Sequence, residues 1–267
     1  MSAGAYANLR LEKDGPILRI LLNRPEVRNA FDDVLIEELT RAFHAAAVEP
    51  GVRAVVLSGE GPTFCAGADV AWMRKAGSYT KDENEADAER MAQMLRAIDA
   101  CPRPVIALAH GAAIGGGVGL VAAADIAIAA EGTVFSLAEV KLGILPSVIS
   151  PYVLRAIGPR FARDLFLTGD RFDAAEALRI GLVHQVVRPG ELLAAGNKKV
   201  ESILTSAPEA VRVAKGLIEQ VAGKAPADAM ALTVRTIAER RATDEAKEGL
   251  TAFLEKRRPA WAPERKG

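Results

Sequence analysis

Two glycine-rich segments, residues 64–69 and 110–117, constrain the fold of this chain more than any other feature. Each follows an apolar strand-like run, at 54–57 and 105–109, and each opens into a helix-like segment. A strand, a tight turn and a helix place backbone N–H groups at a helix N-terminus, where no carbonyl within the helix accepts from them. Two such turns directed at one point would stabilise an oxyanion, so the sequence predicts an anion-stabilising site.

Two other interpretations of the glycines compete with this one. In the simpler of them, the glycines only supply positive φ angles or close packing. In the other, residues 117–122 fit the G-x-G-x-x-A fingerprint of dinucleotide-binding folds. The context argues against nucleotide binding, because the next strand is predicted to begin near Asp125 and no acidic residue ends it.

Composition favours one large domain, or one domain with a small appendage. The chain has 267 residues, of which 50% are hydrophobic, and this is enough for a sizeable core. Basic and acidic residues balance at 34 each, so charge favours neither nucleic acid nor a membrane as a partner. Cys65 and Cys101 have no metal-like spacing, and no targeting pattern or apolar run of about 20 residues is found. We therefore expect reduced thiols and a cytoplasmic location.

Local patterns predict a mixed α/β domain followed by helices. The predicted elements are a hairpin of 9–11 and 16–22, a helix from Asp32 or Asp33 to about Val48, a strand over 53–58, a charged, exposed helix over 82–100, a strand over 105–109, a short helix over 116–124 and a strand over 125–129. From Glu191 onward the pattern is purely helical, with amphipathic segments at 207–221, 227–241 and 243–256. Their apolar stripes must be covered by the same domain or by another subunit.

A series of short motifs runs through most of the chain. They are Asn23-Arg24-Pro25, Asn29-Ala30-Phe31, the turns at 66–69 and 115–117, and the segments 135–139, 142–146, 168–170, 174–177, 181–183 and 253–257. In order and spacing they resemble the crotonase family, the enoyl-CoA hydratases and isomerases. The resemblance implies a spiral of repeated ββα units over residues 1–200. It also implies a helical region over 201–267 that associates into a homotrimer or a dimer of trimers.

The resemblance assigns the chemistry to three residues. The amides of Ala68 and Gly116 would bind a thioester carbonyl oxygen, on which negative charge develops when a neighbouring carbon gains or loses a proton. Glu139 matches the acid/base glutamate in the motif Phe-x-x-x-Glu, although an average glutamate is only solvated. Burial in an apolar pocket would raise its pKa toward neutrality, so it could exchange a proton with carbon or water.

Two departures from the family pattern leave the reaction open. Hydratases of the family usually carry a second glutamate at the position of Gly119, whereas members with one glutamate are often double-bond isomerases. The segment 147–158 instead resembles the methylglutaconyl-CoA hydratase branch. We therefore expect hydration of a 2-enoyl-CoA, with 3-methylglutaconyl-CoA as a branched example. The alternatives are an enoyl-CoA isomerase and a non-catalytic scaffold or RNA-binding member.

The remaining assignments concern the coenzyme A part of the substrate, which needs no separate cofactor. By resemblance, the residues that border it are Glu26, Val27, Arg28, Ala66, Asp69, Val70 and Lys256. For Lys256 the competing interpretation is a solvated helix end favoured by the helix dipole. The acyl pocket is expected around 72–76 and the following helix. His44, His110 and His184 have no partners at metal-ligand spacing, so no metal is predicted, and Cys65 has no adjacent base that would make it a nucleophile.

Overall fold

The computed structural model describes residues 6–263, and nine strands provide its sheets. They are β1 (Leu9–Asp14), β2 (Ile17–Leu22), β3 (Ala54–Gly59), β4 (Val105–Ala109), β5 (Ala112–Ile114), β6 (Ile126–Ala130), β7 (Val134–Ser136), β8 (Arg171–Asp173) and β9 (Gln185–Val187). The main sheet has the order β1-β2-β3-β4-β6-β9, and a small sheet has the order β5-β7-β8. β1 and β2 form an antiparallel hairpin, whereas the other neighbours in the main sheet pair in parallel.

Helices follow most of the parallel strands. Among residues 6–263 they are α1 (Asp33–Val48), α2 (Val70–Ala76), α3 (Lys81–Asp99), α4 (Gly116–Ala123), α5 (Ser150–Thr168), α6 (Ala174–Arg179), α7 (Leu192–Leu204), α8 (Pro208–Val221), α9 (Pro226–Arg241) and α10 (Asp244–Leu254). The Asp32 carboxylate caps α1 by accepting from the Leu35 amide at 2.7 Å, and Thr80 and Glu83 form a capping box at the start of α3. α5 is kinked at Gly158, whose φ is 70°.

Two compact units divide the chain, Met1–Asn197 and Lys198–Gly267. The first contains both sheets, and its core lies around β4, in which all five residues are buried. A strand buried on both faces carries a continuous apolar sequence, as Val105–Ala109 does. Phe31, Phe64 and Phe135 add the largest side chains to this core.

In the described part of the second unit, up to residue 263, the regular elements are all helices. Several of its large apolar side chains are exposed in the chain as it stands, and they are Ile218, Met230, Val234, Ile237, Leu250, Phe253 and Leu254. At its end, Arg257 pairs with Glu248 at 2.7 Å, and the Trp261 ring covers Gly249. Among residues 6–263, none of the helices combines the length and the hydrophobicity that crossing a membrane requires.

The mixed α/β class with C-terminal helices is confirmed, but several local predictions were wrong or incomplete. α3 was predicted to be exposed along its length, yet Met94, Leu95 and Ile98 are buried, because the apolar residues of this helix are concentrated in its last turns. The helix-like segment predicted after 64–69 is α2, whereas the short strand β5 was not predicted, since it is too short to show a periodic pattern. From its sequence, His184 is expected in a late strand, but it lies just before β9.

Candidate active site

The first glycine-rich turn, between β3 and α2, leaves one backbone N–H group without a partner. Gly67 has a φ of 91°, and a Cβ on it would lie 3.0 Å from the Ile114 carbonyl oxygen, so a glycine is required there. The Phe31 amide donates to the Gly67 carbonyl at 2.7 Å, and the Asp69 amide donates to the Phe31 carbonyl at 2.8 Å. Between these two bonds, the Ala68 N–H has no hydrogen-bond acceptor among the described residues.

The second turn, between β5 and α4, has the same property. Gly115 has a φ of 51°, and its amide donates to the Ser136 carbonyl at 2.8 Å. The next amide, that of Gly116, is at the first position of α4, where no intrahelical acceptor exists. Within residues 6–263 it has no other acceptor. A Cβ on Gly116 would lie 2.8 Å from the Phe31 ring, so a side chain is excluded here.

Direct backbone packing holds the two turns together. The Ile114 amide donates to the Cys65 carbonyl at 3.0 Å, and a Cβ on Gly117 would lie only 2.7 Å from that same oxygen. Both turns therefore open onto one cavity of about 380 Å³, which Ala68 and Gly116 both line. The remaining walls are mostly apolar, and they include Phe31, Trp72, Met91, Leu142, Val148 and Ile149.

Glu139 is the single titratable residue among the described residues that line this cavity. It lies in a 3-10 turn, Ala138–Leu142, that follows β7 and ends at Gly143 in the left-handed conformation. A Cβ on Gly115 would lie 3.0 Å from Glu139 Oε1, so the carboxyl group sits directly against the second turn. Its Oε2 is buried and has no hydrogen-bond partner among the described residues.

Burial also changes the acidity of Glu139. Desolvation raises the pKa of its carboxyl above the ordinary value of 4.5, and a hydrogen bond from its own backbone amide opposes the shift only in part. A carboxyl whose pKa is closer to neutrality can both accept and return a proton. The site therefore combines one proton carrier with two unpartnered N–H donors.

The loop before α1 holds the first group of residues predicted to contact coenzyme A. Glu26 and Val27 belong to a 3-10 turn, Pro25–Val27, and Arg28 and Asn29 follow it, each with a φ of 55°. The buried Asn29 side chain fixes this loop. Its Oδ1 accepts from the Arg24 amide at 2.8 Å, and its Nδ2 donates to two carbonyls of the 59–63 loop.

Asp69 and Val70 occupy different settings. The Asp69 carboxylate caps α2, accepting from the Ala71 amide at 2.8 Å, and it also pairs with Arg24 at 3.2 Å. Arg24 pairs in turn with Asp32, the cap of α1, at 3.0 Å. The carboxylate of Asp69 is thus engaged in structural contacts, whereas the Val70 side chain is 60% exposed.

Ala66 lines the cavity of about 380 Å³ together with Ala68, Gly116 and Glu139. It also lines a neighbouring cavity of about 410 Å³, together with Arg28. Lys256 belongs to the second unit and adopts a φ of 54°. Its proposed contact with coenzyme A stays a prediction.

The other polar residues considered as candidates from the sequence are buried or make structural contacts. Burial raises the pKa of the Cys65 thiol to about 12, which suits an inert side chain rather than a nucleophile. His110 Nε2 lies 2.9 Å from the Gly61 carbonyl oxygen, and His184 Nδ1 accepts from the Ala127 amide at 3.1 Å.

Sequence reasoning missed the residues that shape the cavity from a distance. Phe31 and Met91 press on Gly116, and Ile149 presses on Gly119, where a Cβ would lie 2.4 Å from Ile149 Cγ2. These contacts join segments far apart in the chain, so a single sequence contains no local pattern that reveals them.

The chain that forms this cavity, with its paired amides and single carboxyl group, is also similar in sequence to known proteins. Residues 12–264 match the family described as enoyl-CoA hydratase/isomerase. The chain therefore belongs to the enoyl-CoA hydratase/isomerase family, as the motifs predicted, and is an enzyme of that family.

Individual relatives extend over nearly the whole chain. The chain is 37% identical over 256 residues to the crotonyl-CoA hydratase of Syntrophomonas wolfei, covering 95% of this chain and 97% of the relative. It is 33% identical over 257 residues to the short-chain-enoyl-CoA hydratase of Clostridium acetobutylicum, covering 94% and 96%. The crystal structure of an enoyl-CoA hydratase from Shewanella pealeana is similar with a TM-score of 0.94 at 37% identity, covering 97% of each chain.

Proposed function

We propose that this protein hydrates 2-enoyl-CoA thioesters, with Glu139 as the proton carrier and the Ala68 and Gly116 amides as the oxyanion hole. The observation that carries the proposal is the placement of a carboxyl group with one unpartnered buried oxygen, and of two unpartnered N–H groups, around one apolar cavity. The relatives from S. wolfei and C. acetobutylicum, both named as hydratases of enoyl-CoA compounds, support the same reaction.

The two amides act on the thioester carbonyl. As a nucleophile adds to Cβ of the 2-enoyl group, the electrons of the double bond move toward the carbonyl oxygen and form an enolate. Two fixed N–H donors stabilise this charge without reorganisation, and each contributes about 3 kcal/mol by analogy with other oxyanion holes. The N-terminal end of α4 adds its dipole at Gly116.

Glu139 moves a single proton in this scheme. Its carboxylate takes a proton from a water molecule while the water oxygen bonds to Cβ. The carboxyl then returns that proton to Cα as the enolate collapses to the thioester. The sum is addition of one water molecule, and Glu139 ends in the state in which it began. A raised pKa suits a group that must hold the proton between the two steps.

The charged residues that line the two cavities indicate which part of the substrate each cavity would bind. Arg28 and Arg171 line the neighbouring cavity, and neither has an ion-pair partner among the described residues, so this side suits the phosphates of coenzyme A. The catalytic cavity has no cationic lining residue among those described. It favours an apolar acyl chain, and a dicarboxylic substrate such as 3-methylglutaconyl-CoA would leave its terminal carboxylate unpaired there.

Isomerisation of a 3-enoyl-CoA is the second candidate. Glu139 would remove a proton from C2 of the acyl chain and return it at C4, with the dienolate held by the same two amides. The observation that favours it is the absence of a side chain at Gly119, together with the occupation of that space by Ile149. Only one carboxyl group is then available, and isomerisation requires only one.

Product masses distinguish these reactions. Purified protein is incubated with crotonyl-CoA, 3-methylglutaconyl-CoA and a 3-enoyl-CoA, in parallel with the Glu139→Gln variant. Gain of one water on crotonyl-CoA, abolished in the variant, is the expected result. A shifted double bond without gain of water would replace hydration by isomerisation, and equal activity in the variant would reject the role of Glu139.

The second unit is proposed to serve self-association, over residues 201–267, in a homotrimer or a dimer of trimers. Its exposed apolar side chains, such as Leu250 and Phe253, support this proposal because they need a cover. Light scattering of the purified chain tests it, and a monomeric mass would reject it. A cytoplasmic location is proposed with it, and cell fractionation tests that assignment.

A further inference from the structure

Ile149 occupies the space that a side chain at position 119 would need. A Cβ on Gly119 would lie 2.4 Å from Ile149 Cγ2, 3.1 Å from Ile149 Cβ and 3.5 Å from Leu95 Cδ2. Ile149 is only 2% exposed, so its side chain is packed inside the protein rather than free in solvent. It also lines the catalytic cavity, just before the start of α5.

Helical geometry relates this contact to the site. Gly119 follows Gly116 by three positions in α4, and residues three apart lie on the same face of a helix. Gly116 itself lines the cavity, so α4 presents position 119 on the face that Gly116 turns toward it. A functional side chain placed there would reach the cavity next to Ile149.

The geometry points to Ile149 as a specificity-determining residue, one that limits the site to a single proton carrier. This inference rests on the proposed function of Glu139. Because Ile149 fills the place at which α4 would present a second functional group, a proton taken up by Glu139 must also be returned by Glu139. With Ile149 shortened, a carboxyl at position 119 would activate water while Glu139 delivers a proton to carbon, and hydration would gain over isomerisation.

The steric part of the inference is tested without any activity measurement. Gly119→Ala is introduced into the native chain and into Ile149→Ala, and the change in Tm is compared between the two backgrounds. In the native chain it should lower Tm by about 2–10 °C, because overpacking a filled core is destabilising. In the Ile149→Ala background most of that loss should disappear.

Gly216→Ala is the matched control. Gly216 is also in a helix, α8, but a Cβ there would approach nothing closer than Gln220 Nε2 at 4.0 Å. This variant should keep or raise Tm in both backgrounds. Equal effects of Gly119→Ala in the two backgrounds would overturn the inference. Because the remaining Cβ of Ile149→Ala is still at 3.1 Å, Ile149→Gly provides a second background.

The chemical part is tested with Gly119→Glu in the Ile149→Ala background. The measured quantity is the rate of hydration of crotonyl-CoA divided by the rate of isomerisation of a 3-enoyl-CoA. This ratio should rise at least about tenfold over that of Ile149→Ala alone, which is a small part of the about 10²- to 10⁴-fold that a positioned acid/base group contributes. Gly216→Glu in the same background should leave the ratio unchanged.

An unchanged ratio in a folded double variant would overturn the inference, as would a Gly119→Glu variant of the otherwise native chain that is as stable and as active as the native protein. Failure of the proposed function looks different. It would appear as full activity of Glu139→Gln, and the Tm comparison at position 119 would still report on the contact with Ile149.

Discussion

Two glutamates in the first unit, one buried and one half-buried, have opposite surroundings. Glu38, in α1, is 3% exposed, and its carboxylate accepts from the Ala7 and Asn8 amides at 2.6 and 2.8 Å. Glu139 lies at the cavity, and its buried Oε2 accepts from no described residue. Burial alone therefore does not indicate function. A buried carboxylate with partners fixes a segment of chain, and one without partners at a cavity is available for chemistry.

The two glutamates should differ most in their effect on catalysis. Glu139→Gln preserves the shape of the side chain and removes its proton-carrying ability, so kcat should fall by about 10²- to 10⁴-fold. The measurement is the steady-state rate on crotonyl-CoA, with circular dichroism to establish folding. A folded variant with native kcat would place Glu139 in the same structural class as Glu38.

The pH dependence of activity and of stability provides a second test at Glu139. In the proposed hydration Glu139 starts as a carboxylate, so kcat/KM should fall about tenfold per pH unit below its raised pKa. Stability changes in the opposite direction. The folded state holds this proton more tightly than the unfolded state does, so the contribution of Glu139 to stability decreases as pH rises from 4.5 through the folded pKa.

Glu139→Gln should consequently raise Tm slightly at neutral pH, because the variant has no charge to bury. Thermal unfolding at a series of pH values, beside the rate profile, checks both signs. A Tm that is lower in the variant at neutral pH and equal to the native value in acid would contradict the assignment of a raised pKa.

For Glu38 we expect the opposite outcome, a loss of stability without a loss of activity. Glu38→Ala leaves the Ala7 and Asn8 amides without their acceptor, so the free energy of unfolding should fall by about 1–3 kcal/mol. Urea unfolding measures it, and kcat on crotonyl-CoA should stay native. Glu38→Gln, which retains one side-chain carbonyl, is the control and should lose less. A variant that is stable but inactive would show that the two glutamates do not divide as described.

The last prediction concerns Asp69, which follows Ala68 in the first turn but, unlike Glu139, has an ion-pair partner. Asp69→Asn retains a side chain that can cap α2 and loses the ion pair with Arg24. The free energy of unfolding should therefore fall by about 1 kcal/mol or less. Thermal unfolding and KM for crotonyl-CoA are the readouts. A large rise in KM with native stability would instead indicate direct contact of the carboxylate with the substrate.

The local chemistry of the sequence predicts much of the fold, and distant contacts explain the rest. β4 was predicted at its observed bounds because its apolar run is short and continuous, and α1 was predicted from its capping aspartate. The two turns were predicted from their glycines. The hydrogen bonds of Glu38 and the contact of Ile149 with Gly119 each join segments that are well separated in the chain. Glu38 accepts from backbone amides, and Ile149 fills the space left by a glycine, so neither contact has a sequence signature.

The thiol of Cys65 gives the close packing of the two turns a further consequence. The 2-enoyl thioesters assigned to this site are Michael acceptors, which alkylate thiolates. Cys65 flanks the first turn but is fully buried, and with a pKa of about 12 almost none of it is ionised at neutral pH. Intact protein incubated with crotonyl-CoA should therefore keep its mass. The packing that brings the two turns together thus also shields this thiol from the thioesters proposed as substrates.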